Sequence, residues 1–221
     1  MSVQFANETA RSAFAQAIAT IETSSACEAV VAIRRQSAAY LHVHVLVGAL
    51  ALFGALAFAL YAEAEFSTIT ILLEPFVVGV VVGVAVEWLP ALKRLLTPRN
   101  MRRHVVERAA RATFFERGVS QTNGRTGILF YISWQERMVS IVPDIAVRVA
   151  ISSSRIAQLE QTLSAAVAAG GETVANAIKA FAPELAVLPR TEDDINELPD
   201  ALDEQHHRSH PIPQRKSRGA R

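Results

Sequence analysis

A single cysteine, Cys27, excludes an internal disulfide framework and fits a reducing compartment. It heads an apolar run, where a cysteine serves as a small buried hydrophobe. Neither sign of charge is in excess: 22 Lys+Arg stand against 21 Asp+Glu, a balance without the basic footprint of a nucleic-acid binder. Also missing from the sequence are Gly-x-Ser-x-Gly, His-Glu-x-x-His, a Walker loop and a dinucleotide glycine cluster, so the common hydrolase, zinc-peptidase and nucleotide signatures are gone. The N-terminus lacks a charged–apolar–small succession, and no signal peptide is expected.

What the chain does have is two long apolar runs. Val45 to Tyr61 carries no charge, and Ile71 to Leu89 is broken only by Glu74 and Glu87. A spanning helix needs about 20 mostly apolar residues, and both runs approach that length with their interfacial ends. The link from Ala62 to Thr70 holds only a turn; it contains Glu63 and Glu65 and no Lys or Arg. Arg34 and Arg35 precede the pair, and Lys93, Arg94, Arg99, Arg102 and Arg103 follow it. Basic residues mark the cytoplasmic side. The expectation is a transmembrane hairpin over 40–92 in the cell (inner) membrane, both termini cytoplasmic, with the bilayer as first partner. Tyr40, His42, His44 and Trp88 suit the inner headgroup region. The uncharged piece from Pro75 to Val86 is only about 18 Å long at helical rise. At least one flanking Glu then lies near a headgroup, which favours anchoring over an ion path.

Lipid gives two helices no hydrophobic reason to associate, so small residues must admit close backbones. Gly79 and Gly83 form a GxxxG, and Gly48, Ala51, Ala55 and Ala59 form a small-residue stripe on the first span. These faces either pack the hairpin on itself or, through Gly79 and Gly83, join two copies in a homodimer.

Around the hairpin the pattern is α/β. Asn7 opens a helix carrying Phe14, Ile18 and Ile21, closed by Thr23-Ser24-Ser25. Ala29 to Ile33 is apolar on both faces, as in a central covered strand. Arg103 to Gly118 reads as a helix with Val105, Ala109 and Ala112 on its inner side. Ile128 to Ile132 and Met138 to Val142 read as two more strands, antiparallel about a polar turn at Trp134 to Arg137, with Pro143 at an edge or end. The first two strands, joined by a crossover, should be parallel. Two helices follow, one with Ile156, Leu159, Leu163 and Val167, the other with Val174, Ile178, Phe181 and Leu185. The expected organisation is a first half-domain at 1–36, the hairpin at 40–92, a second half-domain at 100–190 and a disordered charged tail at 191–221 with His206, His207 and His210. The halves leave the membrane side by side, so the sheet should sit close under the headgroups.

The segment Arg125-Thr126-Gly127-Ile128-Leu129-Phe130-Tyr131-Ile132-Ser133 is followed by Glu136-Arg137, then Val139-Ser140-Ile141-Val142 and Asp144. With Ser25 to Arg34, Leu185 to Pro189 and Asn196-Glu197-Leu198-Pro199, it resembles the TPM-domain family. That family includes thylakoid proteins of photosystem II maintenance and many bacterial membrane proteins. The resemblance implies a small TPM-like sheet flanked by helices. Some plant members are acid phosphatases, and some domains bind divalent cations through Asp. Here Gln121, Thr122 and Asn123 stand where an acidic residue is typical, and the third strand exits as Asp144-Ile145-Ala146-Val147-Arg148. A hard-oxygen site thereby loses most of its charge.

The residues singled out lie at strand ends, where open sheets place ligands. Arg34, Arg125, Thr126, Glu136 and Arg137 form the expected ligand or partner surface, Glu136 and Arg137 on a solvated turn, and Asp144 is the one catalytic candidate. No resident cofactor is expected, a divalent cation being the exception to test. The expected function is a membrane-anchored interaction or complex-maintenance role toward a membrane protein partner. A divalent-metal-dependent, membrane-tethered phosphatase is the alternative.

Overall fold

A computed structural model describes residues 5, 7–63, 66–189 and 202–205. In chain order its regular elements are α1 (Glu8–Ser24), β1 (Glu28–Arg34), α2 (Leu41–Tyr61), α3 (Thr68–Ala85), α4 (Pro90–Leu96), α5 (Arg99–Glu116), β2 (Gly127–Ser133), β3 (Met138–Pro143), α6 (Ile145–Ala150), α7 (Ser153–Ala166), α8 (Gly171–Leu185) and β4 (Leu202–Gln205).

Side chains alternate across a strand, and here both sets are apolar. Val31, Ile33, Ile128, Phe130 and Ile132 pack with α1, α7 and α8 on one face of the sheet. Val30, Ala32, Leu129 and Tyr131 meet Val106, Ala110 and Phe114 of α5 on the other. Two covered faces explain why β1 and β2 read as unbroken apolar runs. β1 and β2 pair in parallel, Glu28 opposite Gly127 and Arg34 opposite Ser133. β2 and β3 pair antiparallel, with Ile128 opposite Pro143 at the strand's end.

Local chemistry sets the boundaries. The Asn7 side chain accepts the Ala10 N–H at 2.8 Å, and the Ser25 hydroxyl closes α1 by donating to the Ile21 carbonyl at 2.7 Å. Gly118, at φ +67°, lets the chain leave α5 in the left-handed region that side chains avoid.

Three readings of the sequence need correction. α5 begins at Arg99 rather than Arg103, and its buried stripe is Val106, Ala110, Thr113 and Phe114; Val105 and Ala109 are only partly covered and Ala112 is exposed. Both stripes fit a 3.6-residue period, and the large Phe114 ring decides between them. The tail is the second case. Leu202–Gln205 forms a fourth strand, parallel to β1, giving the order β3-β2-β1-β4. β1 otherwise has an open edge, and backbone pairing on such an edge asks little of the side chains. The remainder of the expected tail, with its three histidines and the Asn196-Glu197-Leu198-Pro199 motif, lies outside the described residues. Third, the turn after β2 is largely buried: Gln135 and Glu136 are covered, while Arg137 is exposed.

Two helices are long and apolar enough to cross a membrane, Leu41–Tyr61 and Thr68–Trp88, the latter including a 3-10 turn after α3. Only 6% and 22% of their most apolar windows are buried within the molecule, unlike the core helix of a soluble protein. They pack as a hairpin through glycine. A Cβ on Gly48 would stand 2.8 Å from the Gly79 carbonyl, and one on Gly79 would stand 2.9 Å from the Gly48 carbonyl. Gly83 lies against His44, and Ala51, Ala55 and Ala59 are partly covered along the same side of α2. The Gly79/Gly83 face is thus filled by α2 of the same chain, and a homodimer would have to use another surface.

Candidate functional site

The sheet has two ends, and the structure divides the sequence-derived site residues between them. Arg125, Thr126 and Asp144 sit at the end remote from the hairpin. Asp144 is buried and caps α6 by accepting the Ile145 N–H at 2.8 Å, while Arg125 Nε lies 3.0 Å from its second carboxylate oxygen. Arg125 holds φ +53°, and its carbonyl accepts the Ala146 N–H. The Thr126 N–H donates to the Thr122 hydroxyl at 3.1 Å. Gly127 is required, since any Cβ would fall 2.2 Å from the Val119 carbonyl. This end is a folded corner that starts a helix: Asp144 Oδ1 caps it, while the buried Oδ2 faces Arg125 as an ion pair and accepts no hydrogen bond.

Arg34, Glu136 and Arg137 lie at the other end, where the hairpin joins the sheet. Glu136 is 2% exposed. Its Oε1 accepts the Ser37 N–H and the Tyr40 hydroxyl, both at 2.8 Å, and its Oε2 accepts the Ser133 hydroxyl. The Ser37 hydroxyl also donates to Ser133 Oγ at 3.0 Å. One carboxylate therefore ties β2 to the segment that leads from β1 into α2. The buried charge is held by donors on several sides, the condition under which a buried carboxylate is tolerated. Tyr40 and Val43 meet Val86, with Leu92 beside them, in a small apolar cluster beneath the hairpin. Tyr40, expected at the headgroups, is instead buried, and it takes φ +42° to enter α2.

Further links fasten the hairpin's base. His44 Nδ1 donates to the Gly83 carbonyl at 3.0 Å. Glu87 pairs with the almost fully covered Lys93 and lies 3.5 Å from His44 Nε2. Trp88 and Leu95, 74% and 81% exposed, project from this base beside Leu89.

Burial, and then the Glu136 carboxylate, push the Tyr40 hydroxyl above its ordinary pKa. For an acid raised in the folded state, stability is intact below the unfolded value of about 10 and falls as pH rises beyond it. We expect Tyr40→Phe to diminish the late, high-pH phase of an absorbance titration.

Beside this junction lies a groove of about 510 Å³ walled by α4, α5, the turn after β2, and α7. Arg94, Arg99, Arg102 and Arg137 line it. Arg94 Nη1 donates to the Gln135 carbonyl at 3.2 Å and Arg102 Nη1 to the Glu136 carbonyl at 3.0 Å. Adjacent carbonyls thus gather two guanidinium groups next to Arg137. Burial and the cations Arg137 and Arg102 lower the pKa of Arg94.

A second groove, of about 440 Å³, continues from it along β3 between α5 and α7. Its polar lining serves the sheet edge. The Val139 N–H donates to the Ser164 hydroxyl at 2.9 Å and the Ile141 N–H to Glu160 Oε1 at 2.8 Å. Two outward donors of an edge strand are thereby capped, which blocks pairing with another chain. Burial raises the Glu160 pKa against the pull of the Ile141 N–H and Arg103. Its contribution is therefore greatest when protonated, and stability should decline as pH rises from the ordinary glutamate range through the folded value. Glu160→Gln keeps an acceptor and should flatten that part of a denaturation-versus-pH profile.

Among the described residues, no group of three or more His, Cys, Asp or Glu could hold a metal ion. The sequence reading missed the arginine groove because Arg94, Arg99 and Arg102 read there only as topological charges. It missed the partners of Glu136 because Ser37 and Tyr40 lie 99 and 96 positions away. The one usable signal is Ser133 three residues before Glu136 at a strand end.

No protein-family model matches the chain, and no curated protein matches it significantly. Its fold is similar to the NMR structure of the BA42 protein from the psychrophilic bacterium Bizionia argentinensis. The TM-score is 0.54 at 15% identity, over 92% of this chain and 99% of that one. The class defined is a small mixed α/β domain carrying a hairpin of two membrane-length helices.

Proposed function

We propose that the chain is a TPM-like, membrane-anchored module in which a bilayer-spanning hairpin holds a cytoplasmic α/β sheet against the inner headgroups. It presents the grooved face to a membrane partner and has an interaction or complex-maintenance role. The observation that carries this reading is the junction at Glu136, where side chains from both halves of the interrupted domain fasten the sheet to the hairpin. A tether without docking would need no such buried charge. Supporting the TPM likeness, the motif segments fall on successive features: β2, the turn at Glu136-Arg137, β3, and the helix cap at Asp144.

The test uses the full chain in its native membrane. Carbonate washing should leave it in the membrane fraction, and tags at both termini should face the cytoplasm. A photo-cross-linker at Gln161, which lines both grooves, should give a discrete adduct with a membrane protein. Purified protein should release no phosphate from a generic phosphate ester with Mg²⁺ or Ca²⁺. Metal-dependent turnover lost in Asp144→Ala would replace this reading with the tethered phosphatase.

A further inference from the structure

The arginine groove beside the hairpin has more positive charge than its surroundings offset. Arg94, Arg102 and Arg137 converge at the turn after β2, and Arg99 stands on the same wall. Glu136, within the turn, is the one acid among the residues lining the groove, and its oxygens accept from Ser37, Tyr40 and Ser133 on the sheet side. Each guanidinium has five N–H donors. Arg94 and Arg102 each spend one on a carbonyl, and the buried Arg102 Nε has no hydrogen-bond partner. A planar fork of this kind matches phosphate oxygens.

We propose that this groove binds the phosphate headgroup of an acidic phospholipid from the surrounding bilayer, held by Arg94, Arg102 and Arg137. The inference rests on the membrane-spanning reading above and names one partner of that same surface. Its source is fixed by the groove's position. α4, which supplies Arg94, directly follows the second membrane-length helix and also exposes Leu95, with Trp88 and Leu89 just before it. Apolar side chains at the rim suit the glycerol and upper acyl region of a lipid, whereas a free anion would leave them in water. Basic pockets at the cytoplasmic side of spanning helices recognise anionic headgroups in this manner.

The experiment is native mass spectrometry of the full chain in neutral detergent, titrated with phosphatidylglycerol or phosphatidylcholine. The expected result is about a ten-fold preference for phosphatidylglycerol. Each arginine near a membrane surface contributes up to about five-fold, so R94Q/R137Q together remove enough to abolish the ten-fold preference. R108Q/R111Q, on the exposed side of α5, should keep it. Millimolar inorganic phosphate should displace no lipid. Equal retention of both lipids, a preference that survives R94Q/R137Q, or an equal loss in R108Q/R111Q would overturn the proposal. Displacement by phosphate would also overturn it, by marking a site for a soluble anion. Should R94Q/R137Q fail to fold by circular dichroism, R137Q alone, with its exposed side chain, must still lose about five-fold. Carbonate extraction separates the two readings: a resistant protein without lipid preference sinks only this proposal, whereas a soluble one sinks the anchoring itself.

Discussion

Glu136→Ala should be the most damaging substitution outside the apolar core, lowering the melting temperature of the detergent-solubilised chain by about 10 °C or more. Truncation leaves the Ser37 N–H and the Tyr40 and Ser133 hydroxyls without their acceptor in a closed space. Each buried donor left without an acceptor costs about 1–3 kcal/mol, and each kcal/mol moves the melting point of a chain this size by about 2–4 °C. Glu136→Gln keeps one acceptor and should cost less. Arg137→Ala, one residue on and exposed, should stay within about 0.5 kcal/mol of the parent. Because the carboxylate joins the two halves of an interrupted domain, the Glu136→Ala protein should also become protease-sensitive between β1 and α2. A Glu136→Ala melting point equal to that of Arg137→Ala would show that the junction contributes little.

The second large effect belongs to the hairpin. Gly79→Leu must push α3 away from α2, because even the first carbon would lie 2.9 Å from both the Gly48 carbonyl and Leu52 Cβ. Overpacking of this kind costs about 1–3 kcal/mol, and here the obstructing atoms include backbone, which cannot rotate aside. Gly54→Leu is the matched control, since nothing lies within 4 Å of its would-be Cβ. Fluorescence transfer between labels on Val45 and Val84 should fall for Gly79→Leu and stay unchanged for Gly54→Leu. Equal behaviour of the two would mean that the helices do not meet through glycine.

These two sites differ in how far the sequence revealed them. The glycine contact was half legible. Small residues at four-residue spacing announce close helices, but the spacing alone does not choose between a partner within the chain and one in a second copy. The strands were plain, because a sheet covered on both faces needs apolar residues on both sides of its central strands, and Ala29 to Ile33 and Ile128 to Ile132 supply them. Asp144 was legible as a strand-exit residue and illegible as a cap, since its role depends on Arg125 folding back across the corner. Glu136 was the hardest. An acid beside an arginine at a turn is usually solvated, and what buries it arrives from residues on the far side of the hairpin in sequence. Leu202–Gln205 shows the same limit in the backbone, where pairing with the free edge of β1 supplies an order that composition does not announce.

If the hairpin spans the bilayer as proposed, it lies in lipid, the groove at the headgroups and the rest of the domain in water. The most direct measurement is the accessibility of spin labels on single cysteines in proteoliposomes, with the buried Cys27 replaced by alanine. Labels at Phe53, Leu95 and Phe115, all exposed positions, sample the three levels. A spanning hairpin requires that the Phe53 label collide with oxygen and be shielded from a polar nickel complex, that the Leu95 label report the interface, and that the Phe115 label report bulk water. A label at Phe53 as open to the nickel complex as the one at Phe115 would contradict it.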